Sequence, residues 1–583
     1  MSRNPEPLQQ PTGRDRRGRL KGRAVDPQAL AEIRTLLKDA PRNRDLLIEH
    51  LHQIQDQYGY LSAKHLVALA AELGLATTEV YEVATFYHHF DVIKEGQTPP
   101  PPLTVRVCDS ISCELAGAEA LIEALGEALG EAPESGVRIQ RVPCVGRCAT
   151  APVAIVGQNP VDHATADSVR ELTRSGATQA AAPHAIRYDR YRAEGGYGLL
   201  RNARATATNG GSDSDAGAGL SGERIMSILD DSKLRGLGGA GFPAGRKWRI
   251  LRDQPAPRLM AINIDEGEPG TFKDRHFLET DPHRFFEGML IAAEVVEVAE
   301  IYIYLRDEYA GIRALLEQEL DALRANPPCP LPPIHLRRGA GAYICGEESA
   351  MIESLEGKRG MPRLRPPYVA EVGLFGRPTL EHNMETLFWV RDLLERGPDW
   401  FASQGRNGRS GMRAFSVSGR VRKPGVHLAP AGITLRELID EFCDGMLEGH
   451  TLYGYFPGGA SGGILPASLA DVPLDFDTLQ PHGCFIGSAA IIVLSQQDSA
   501  RQAALNAMRF FEHESCGQCT PCREGTAKAA RLMQAPTWDQ PLLDDLCTVM
   551  ADASICGLGQ AAPNPLRCAM KYFPQEFTDG QHG

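Results

Sequence analysis

Residues 235–248 read Arg-Gly-Leu-Gly-Gly-Ala-Gly-Phe-Pro-Ala-Gly-Arg-Lys-Trp and contain five glycines. Because glycine lacks a Cβ, the backbone N–H groups of such a loop can approach an anion and form a concave nest for phosphate. Gly236, Gly238 and Gly241 also have the G-x-G-x-x-G spacing of a dinucleotide fold, which requires a preceding strand. Residues 223–234 instead have the pattern of an amphipathic helix. Taken alone, the loop is more typical of a flexible turn.

A second stretch, residues 263–275, reads Asn-Ile-Asp-Glu-Gly-Glu-Pro-Gly-Thr-Phe-Lys-Asp-Arg. Together, the two stretches resemble the flavin-bearing, NADH-binding subunit of respiratory complex I. They also resemble the diaphorase subunits of NAD-reducing hydrogenases and formate dehydrogenases. Acidic and amide side chains at one predicted strand end would accept hydrogen bonds from the isoalloxazine N–H and from ribityl and ribose hydroxyls. A solvated acidic loop is the alternative.

Composition excludes several classes of protein. A chain of 583 residues is too long for one core, and 43% hydrophobic residues can build several. A net charge of -13 argues against nucleic-acid binding. Residues 289–305, the longest apolar run, carry three glutamates, so we expect no transmembrane segment. Residues 1–24 are basic and lack the apolar core of a signal peptide, so we expect a disordered leader on a cytoplasmic protein.

Four cysteines mark the first predicted metal site. Residues 25–98 have helical periodicity and predict a helical bundle, whereas residues 99–180 alternate strands and helices. Two strands end at two cysteine pairs, so the thiolates can share one metal centre. A disulfide pair or a zinc site is the alternative, but the spacings within the pairs favour [2Fe-2S]. The segment also resembles the thioredoxin-like [2Fe-2S] subunit of complex I. The ligands are Cys108, Cys113, Cys144 and Cys148.

The central part of the chain is predicted to bind flavin. We expect a linker over 181–222 and then, over 223–410, a parallel sheet with helices on its faces. The resemblance implies a Rossmann-like FMN- and NAD-binding domain here. Leu237 and His382 depart from residues common in the family and are left out of the site. The implied FMN-binding residues are Gly236, Gly238, Gly239, Gly241, Lys247, Asn263, Asp265, Glu266, Tyr343, Gly346, Glu347, Asn383 and Thr386.

The resemblance also implies a nicotinamide nucleotide site. Tyr368 would stack on the adenine, with Phe242 on the other side of the ring, although Tyr368 alone would be assigned to a surface turn. Glu348 would lie near the adenosine ribose, where a carboxylate accepts from hydroxyls and repels a 2′-phosphate, so we expect NAD over NADP. No catalytic side chain is expected, because hydride passes between two cofactors. The implied NAD-binding residues are Phe242, Glu268, Glu348, Arg365 and Tyr368.

The C-terminal third predicts two further domains. Residues 411–498 resemble the β-grasp (ubiquitin-like) domain of the family, and residues 499–583 form a predicted helical domain with a C-x-x-C-x-x-C loop. Three thiolates on one loop fit one face of a [4Fe-4S] cube, with zinc as the alternative. Cys547, Cys556 and Cys568 are available as the fourth ligand, and the resemblance selects Cys556. The implied ligands are Cys516, Cys519, Cys522 and Cys556.

The sequence is therefore identified as a multidomain α/β diaphorase module with FMN, NAD(H), one [2Fe-2S] and one [4Fe-4S] cluster. The fusion of the [2Fe-2S] and flavin domains favours the large diaphorase subunit of an NAD-reducing [NiFe] hydrogenase. Its partners would be a small ferredoxin-like diaphorase subunit and the [NiFe] hydrogenase subunits. A subunit of formate dehydrogenase or of complex I is the alternative. In a different class, the chain would be a non-catalytic zinc-binding assembly scaffold.

Overall fold

The computed structural model describes residues 23–130, 136–208 and 220–577, so nearly all of the predicted leader lies outside the described residues. None of the described helices combines the length and apolar character needed to span a lipid bilayer. The described residues form four sheets, which follow one another along the chain with helices before, between and after them.

The first part of the chain is a helical bundle, as predicted. Asp26 caps its first helix by accepting hydrogen bonds from the backbone N–H groups of Gln28 and Ala29. Gly59 and Gly74 end the second and third helices in the left-handed conformation. A short parallel strand pair joins Leu61–Ser62, between the second and third helices, to Val92–Ile93, after the fourth helix. The helices are Pro27–Leu37, Leu47–Tyr58, Ala63–Leu73 and Thr77–Phe86.

The predicted thioredoxin-like domain contains a four-stranded mixed sheet. The first two strands pair in parallel and the others pair antiparallel. In sheet order the strands are Val137–Val142, Leu103–Cys108, Ala154–Val156 and Asn159–Val161. The helices are Ile111–Leu115, Ala118–Leu129 and Ala166–Ser175. Because the two parallel strands run side by side, the cysteine loops that follow them lie at the same edge of the sheet.

The central domain contains a four-stranded sheet whose strands are all parallel. In sheet order they are Thr379–Asn383, Arg258–Ile264, Val298–Leu305 and Ile334–Arg338. The helix Pro282–Val296 is buried along almost its whole length, because most of its side chains are apolar and its buried His283 and Glu287 are hydrogen-bonded. The other helices are Gly222–Asp231, Ala244–Arg252, Lys273–Thr280, Ala310–Ala325, Glu348–Leu355, Met384–Phe388, Val390–Arg396 and Pro398–Ala402.

The structure differs from the predicted linker over much of residues 181–222. Two helices, Tyr188–Ala193 and Gly198–Thr208, pack onto the central domain. The Tyr191 hydroxyl donates to Glu287 at 2.6 Å. The linker prediction rested on the glycine- and serine-rich residues 206–219, and it overlooked the tyrosines and leucines before them. Residues 209–219 lie outside the described residues.

The last two domains have the predicted β-grasp and helical architectures. The β-grasp sheet contains, in order, Gly425–Pro430, Met412–Gly419, Ala490–Ser495, Leu452–Phe456 and Leu465–Pro466. Its helix Leu435–Phe442 begins with a capping box formed by Thr434 and Glu437. The final helices are Ala500–Glu514, Thr520–Met533, Gln540–Ala553, Gly557–Ala561 and Pro563–Tyr572.

Candidate flavin, nucleotide and iron-sulfur sites

The predicted flavin residues gather at the carboxyl edge of the parallel sheet. Ligands of open α/β sheets bind beyond the carboxyl ends of the strands. At the carboxyl end of each strand lies a residue that belongs to the candidate site or borders it. In chain order these residues are Asp265, Arg306, Gly339 and Asn383.

The glycine loop is a tight hairpin between two helices. Its ends are closed by a bridge between Arg235 and Pro243, and the Gly236 N–H donates to the Phe242 carbonyl at 2.8 Å. A Cβ added to Gly238 would lie 2.9 Å from the Cβ of Asn383, so the absence of a side chain allows the loop to approach the strand end. The helix before the loop confirms that this is not a Rossmann dinucleotide turn.

A buried carboxylate oxygen at the end of the strand Arg258–Ile264 has no hydrogen-bond partner among the described residues. The Asn263 amide donates to the Gly346 carbonyl at 2.8 Å and accepts from the Asp265 N–H at 3.0 Å. The Asp265 Oδ2 is buried and has no hydrogen-bond partner in the described part of the chain. Burial raises the pKa of Asp265 well above its usual value, although Arg306 opposes the shift. A flavin hydroxyl or ring N–H would satisfy this carboxylate, so the site fits the predicted cofactor.

The Glu266 carboxylate is hydrogen-bonded to other groups of the protein. Its carboxylate accepts from the backbone N–H groups of Asp274 at 2.8 Å and Arg275 at 3.2 Å, and from the Tyr309 hydroxyl at 2.8 Å. Burial, together with the nearby Asp274 charge, raises the pKa of Glu266 to about 7. The side chain therefore caps the helix Lys273–Thr280, and its predicted role as a flavin acceptor has no support in this geometry.

Tyr343 joins three domains around the candidate site. Its hydroxyl donates to the Glu268 carboxylate, which also accepts from the Ser461 N–H of the β-grasp domain at 2.7 Å. The Tyr343 N–H donates to Glu514 of the C-terminal domain at 2.8 Å. Its ring also contacts Phe510 with a centroid distance of 5.0 Å. Glu268 and Tyr343, predicted for different cofactors, thus lie in direct contact.

The sequence analysis did not identify Lys273 as a site residue. This buried ammonium contacts Asp274 at 2.8 Å, Glu385 at 2.9 Å and the Asn383 amide oxygen at 3.4 Å. Burial alone would lower the pKa of Lys273, but the two carboxylates and Glu266 raise it. The ammonium therefore stays charged and fixes the Asn383 side chain. Its presence in the diagnostic stretch 263–275 was the available signal.

Two of the predicted nucleotide residues, Glu348 and Arg365, lie in a charged cluster with Lys247 and Glu347, which were predicted to bind FMN. Lys247 pairs with Glu381 at 2.9 Å, and Arg365 pairs with Glu347 and, at 3.3 Å, with Glu348. Burial and repulsion by Glu381 raise the pKa of Glu348. Both Lys247 and Arg365 oppose this rise. The cluster offers both carboxylate acceptors and cationic donors to a nucleotide.

Other predicted residues of this region have protein partners or lie at the surface. Glu347 caps the helix Glu348–Leu355 by accepting from two of its N–H groups. Thr386 accepts from the Leu237 N–H at 2.9 Å and so anchors the glycine loop. The aromatic rings of Phe242 and Tyr368 are 41% and 53% exposed. Their exposure leaves both side chains accessible to a ligand.

The four predicted [2Fe-2S] ligands converge. All four thiols are buried, and the Cys144 and Cys148 sulfurs are 3.3 Å apart. The thiol of Cys108 interacts with those of Cys113 and Cys144, which raises the pKa of Cys108. Four thiols in one buried group match the donor set of a [2Fe-2S] cluster.

Arg306 connects this cysteine group with the flavin strand end. Its guanidinium donates to the carbonyl oxygen of Glu266 and to that of Cys144, the latter at 2.7 Å. The side chain is only 4% exposed and is neutralised by Glu308 at 3.0 Å. Arg275 adds a parallel contact by donating to the Gly146 carbonyl at 3.0 Å. Arg306 directly follows a parallel strand, and that position was the sequence signal that could have identified it.

The predicted [4Fe-4S] ligands come from two helix starts. Cys519 and Cys556 directly precede the helices Thr520–Met533 and Gly557–Ala561. Cys516 and Cys522 both act on the pKa of Cys556, which burial raises to about 12. Cys547 is buried in the apolar core, as expected, and Cys568 instead faces Cys484 at 3.5 Å. The geometry therefore favours Cys556 as the fourth ligand.

Three family models match this chain. Residues 33–176 match the thioredoxin-like [2Fe-2S] ferredoxin family, and residues 229–392 match the Nuo51 FMN-binding domain. Residues 502–580 match the NADH-ubiquinone oxidoreductase-F iron-sulfur binding region. These matches confirm the predicted cofactors, namely FMN, NAD(H), a [2Fe-2S] and a [4Fe-4S] cluster.

Two bacterial relatives are similar to about two thirds of this chain. An NADH-quinone oxidoreductase subunit of Rhizobium meliloti (strain 1021) is 40% identical over 403 residues, which cover 67% of this chain and 93% of the relative. An NADH-quinone oxidoreductase subunit of Aquifex aeolicus (strain VF5) is 38% identical, covering 68% of this chain and 92% of the relative.

Solved structures are similar over nearly the whole chain. A chain of an NAD+-reducing [NiFe]-hydrogenase in the H2-reduced state superposes with a TM-score of 0.79 at 31% identity. The match covers 93% of this chain and 95% of that chain. The air-oxidized state of such a hydrogenase gives a TM-score of 0.77. The multidomain fold predicted from the sequence is therefore confirmed.

We predict that Asp265→Asn weakens FMN binding about tenfold or more, because a charged acceptor is lost. Without FMN, burial raises the folded pKa of Asp265 above its unfolded value. Its stabilising contribution is therefore full below about pH 3.8 and is lost as the pH rises towards the folded pKa. FMN-depleted wild-type protein should accordingly lose protection in the Arg258–Ile264 strand as the pH rises above about 3.8 towards the raised folded pKa of Asp265.

The check is hydrogen exchange of that strand together with FMN retention on dilution. Asp265→Asn should remove the pH-dependent loss of protection, while Asp253→Asn, at an exposed position, should behave as wild type. Unchanged FMN retention and unchanged pH dependence in Asp265→Asn would show that this carboxylate does not face the flavin.

We predict that Cys556→Ser removes the [4Fe-4S] cluster, since a hydroxyl is a poor substitute for a thiolate ligand. Iron and acid-labile sulfide should fall by about four atoms each per chain. Cys547→Ser, which alters a core thiol, is the matched control and should retain the cluster. Equal iron content in the two variants would refute the assignment of Cys556.

Proposed function

We propose that this chain, which belongs to the Nuo51 family of NADH-quinone oxidoreductase subunits, is the diaphorase subunit of an NAD+-reducing [NiFe] hydrogenase. The coverage of the matches supports this assignment. The matches to the two bacterial relatives cover nearly all of each relative but only 67–68% of this chain. The match to the hydrogenase chain covers 95% of that chain and 93% of this chain. A [2Fe-2S] domain fused ahead of the flavin domain is thus shared with the hydrogenase chain.

The activity class is established at a coarser level. The chain is an NADH-dehydrogenase-type flavin oxidoreductase with FMN- and iron-sulfur-binding domains. Bound FMN would accept two electrons as hydride and release them one at a time to one-electron carriers. The protein supplies binding, orientation and exclusion of water. A zinc-binding scaffold does not fit these domain matches.

The proposed flavin cradle has a rigid part and an open acceptor. Gly238 lies against Asn383, whose side chain is held by Asp274 at 2.7 Å and by Lys273. Asp265 offers the buried acceptor, and the glycine loop offers backbone donors close to the same strand end. A cradle fixed in this way positions a flavin without rearrangement of the sheet.

The proposed nucleotide site lies on the open side of the glycine loop. Phe242 and Tyr368 supply exposed rings for the adenine, and Glu348 supplies the acceptor for the adenosine ribose. Lys247 and Arg365 lie within the electrostatic reach of Glu348 and would neutralise a pyrophosphate. This arrangement brings the nucleotide to the flavin without a proton donor or acceptor in the reaction.

Two proposed cluster sites lie on different sides of the flavin strand end. The proposed [2Fe-2S] ligands lie behind Arg306, and the proposed [4Fe-4S] ligands lie in the C-terminal domain that Tyr343 contacts through Glu514. We propose that the [4Fe-4S] site leads to a small ferredoxin-like subunit and then to the [NiFe] subunits of a cytoplasmic complex. A role in complex I or in a formate dehydrogenase is the second candidate, and the NADH-quinone oxidoreductase relatives favour complex I.

The test is anaerobic purification of the affinity-tagged chain from its native host, followed by metal analysis and activity assays of the complex. Stoichiometric nickel in the complex together with hydrogen-dependent NAD+ reduction would support the hydrogenase assignment. Stoichiometric molybdenum with formate-dependent NAD+ reduction, or co-purification of membrane subunits with quinone reduction, would overturn it.

We predict that Glu348→Gln raises kcat/KM with NADPH about tenfold, equivalent to about 1.4 kcal/mol. The substitution removes the charge that repels a 2′-phosphate and leaves Lys247 and Arg365 to attract it. Steady-state rates with NADH and NADPH and a soluble electron acceptor measure the change. Glu395→Gln, a surface substitution away from the cluster, should keep the wild-type ratio. An unchanged ratio in Glu348→Gln would remove this residue from the ribose site.

A further inference from the structure

Three metal-ligating side chains meet outside the predicted cofactor sites. His88 belongs to the segment after the helix Thr77–Phe86, and His513 and Glu514 end the helix Ala500–Glu514. The Glu514 Oε1 lies 3.0 Å from the His513 Nδ1 and 3.9 Å from the His88 Nδ1. The two imidazole centroids are 4.0 Å apart. One ligand atom from each residue lies within 4.8 Å of the other two.

These spacings suit a single small cation. Zinc binds imidazole nitrogen and carboxylate oxygen at about 2.0–2.2 Å, so neighbouring ligands of a tetrahedral site are about 3.4 Å apart. The observed distances lie around this value, and small rotamer changes would close the longer ones. Two imidazoles and one carboxylate are the ligand set that zinc shares with other late first-row metals. Water would complete the coordination.

Glu514 is oriented for this role by the protein. Its side chain is only 5% exposed, and its Oε2 accepts from the Tyr343 N–H at 2.8 Å. The other oxygen is thereby presented to both histidines. An outer hydrogen bond of this kind fixes a ligating carboxylate before the metal arrives.

The surroundings of the three side chains favour a cation. Asp109 and Glu512 add negative charge near His513. The His88 and His513 side chains are 44% and 45% exposed, so a metal can enter from solvent. The three residues also line a cavity of about 100 Å³ that extends to Asp265 and Cys144.

We propose that His88, His513 and Glu514 form a binding site for zinc or another divalent late first-row metal ion. The ion joins the N-terminal helical bundle to the C-terminal iron-sulfur domain, at the carboxylate that holds Tyr343. The site contains no cysteine and is separate from both predicted clusters. Zinc binding therefore fixes the position of two domains that flank the candidate flavin site.

The experiment uses the complete protein with its FMN and iron content measured beforehand. Zn²⁺ is titrated anaerobically in competition with a fluorescent chelator. The expected result is one site per chain with zinc X-ray absorption showing nitrogen and oxygen ligands only. His88→Gln and His513→Gln should each weaken binding about tenfold or more. His184→Gln, at an exposed position in another part of the chain, should bind as wild type.

Structural consequences provide the second readout. Zn²⁺ should slow hydrogen exchange in residues 86–90 and 510–515 of the wild type and of His184→Gln, but not of the two ligand variants. Sulfur ligands in the zinc spectrum, absence of a stoichiometric site, or equal affinity in all variants would each overturn the proposal. Because both histidines are half-exposed, their substitution leaves the folded protein available for measurement.

Discussion

A buried guanidinium holds the two halves of the candidate site together. Arg306 donates to backbone carbonyls of the flavin strand end and of the first cysteine loop, and it carries its counter-ion, Glu308, beside it. Removing a charge from water costs several kcal/mol unless the charge is paired and its N–H groups are hydrogen-bonded. Glu308 pairs with the charge locally, but the hydrogen bond to the Cys144 carbonyl forms only when the thioredoxin-like domain is docked. The fold thus makes the position of the cysteine group depend on the position of the flavin strand.

A similar dependence operates on the other side of the strand end. Tyr343 contacts Glu268, and through that carboxylate the backbone of Ser461. It also donates to Glu514, at the end of the helix that precedes the second cysteine loop. One tyrosine therefore links the flavin, β-grasp and cluster domains. Electron transfer between centres requires fixed short separations, and shared hydrogen bonds of this kind keep domains at fixed distances.

The sequence predicted several of the strands and both cysteine groups, because each of these is encoded by local periodicity or spacing. It also placed Asn263, Asp265 and Tyr343 at one site through the family resemblance. It did not find the direction of the Glu266 side chain, which depends on the distant Tyr309. Lys273 and Arg306 were missed because they contact residues distant in the sequence, namely Asn383 and Glu385 for Lys273 and Cys144 for Arg306. The helices within the predicted linker were missed because their apolar side chains gain stability only from tertiary packing.

The central claim is that flavin and both cluster sites belong to one electron-transfer unit within this chain. Anaerobic titration with NADH, followed by absorbance and by electron paramagnetic resonance, tests it most directly. We expect bleaching of a flavin band and the appearance of signals from both a [2Fe-2S] and a [4Fe-4S] cluster. A protein that contains iron and flavin but shows no cluster signal with NADH, while dithionite produces one, would contradict it.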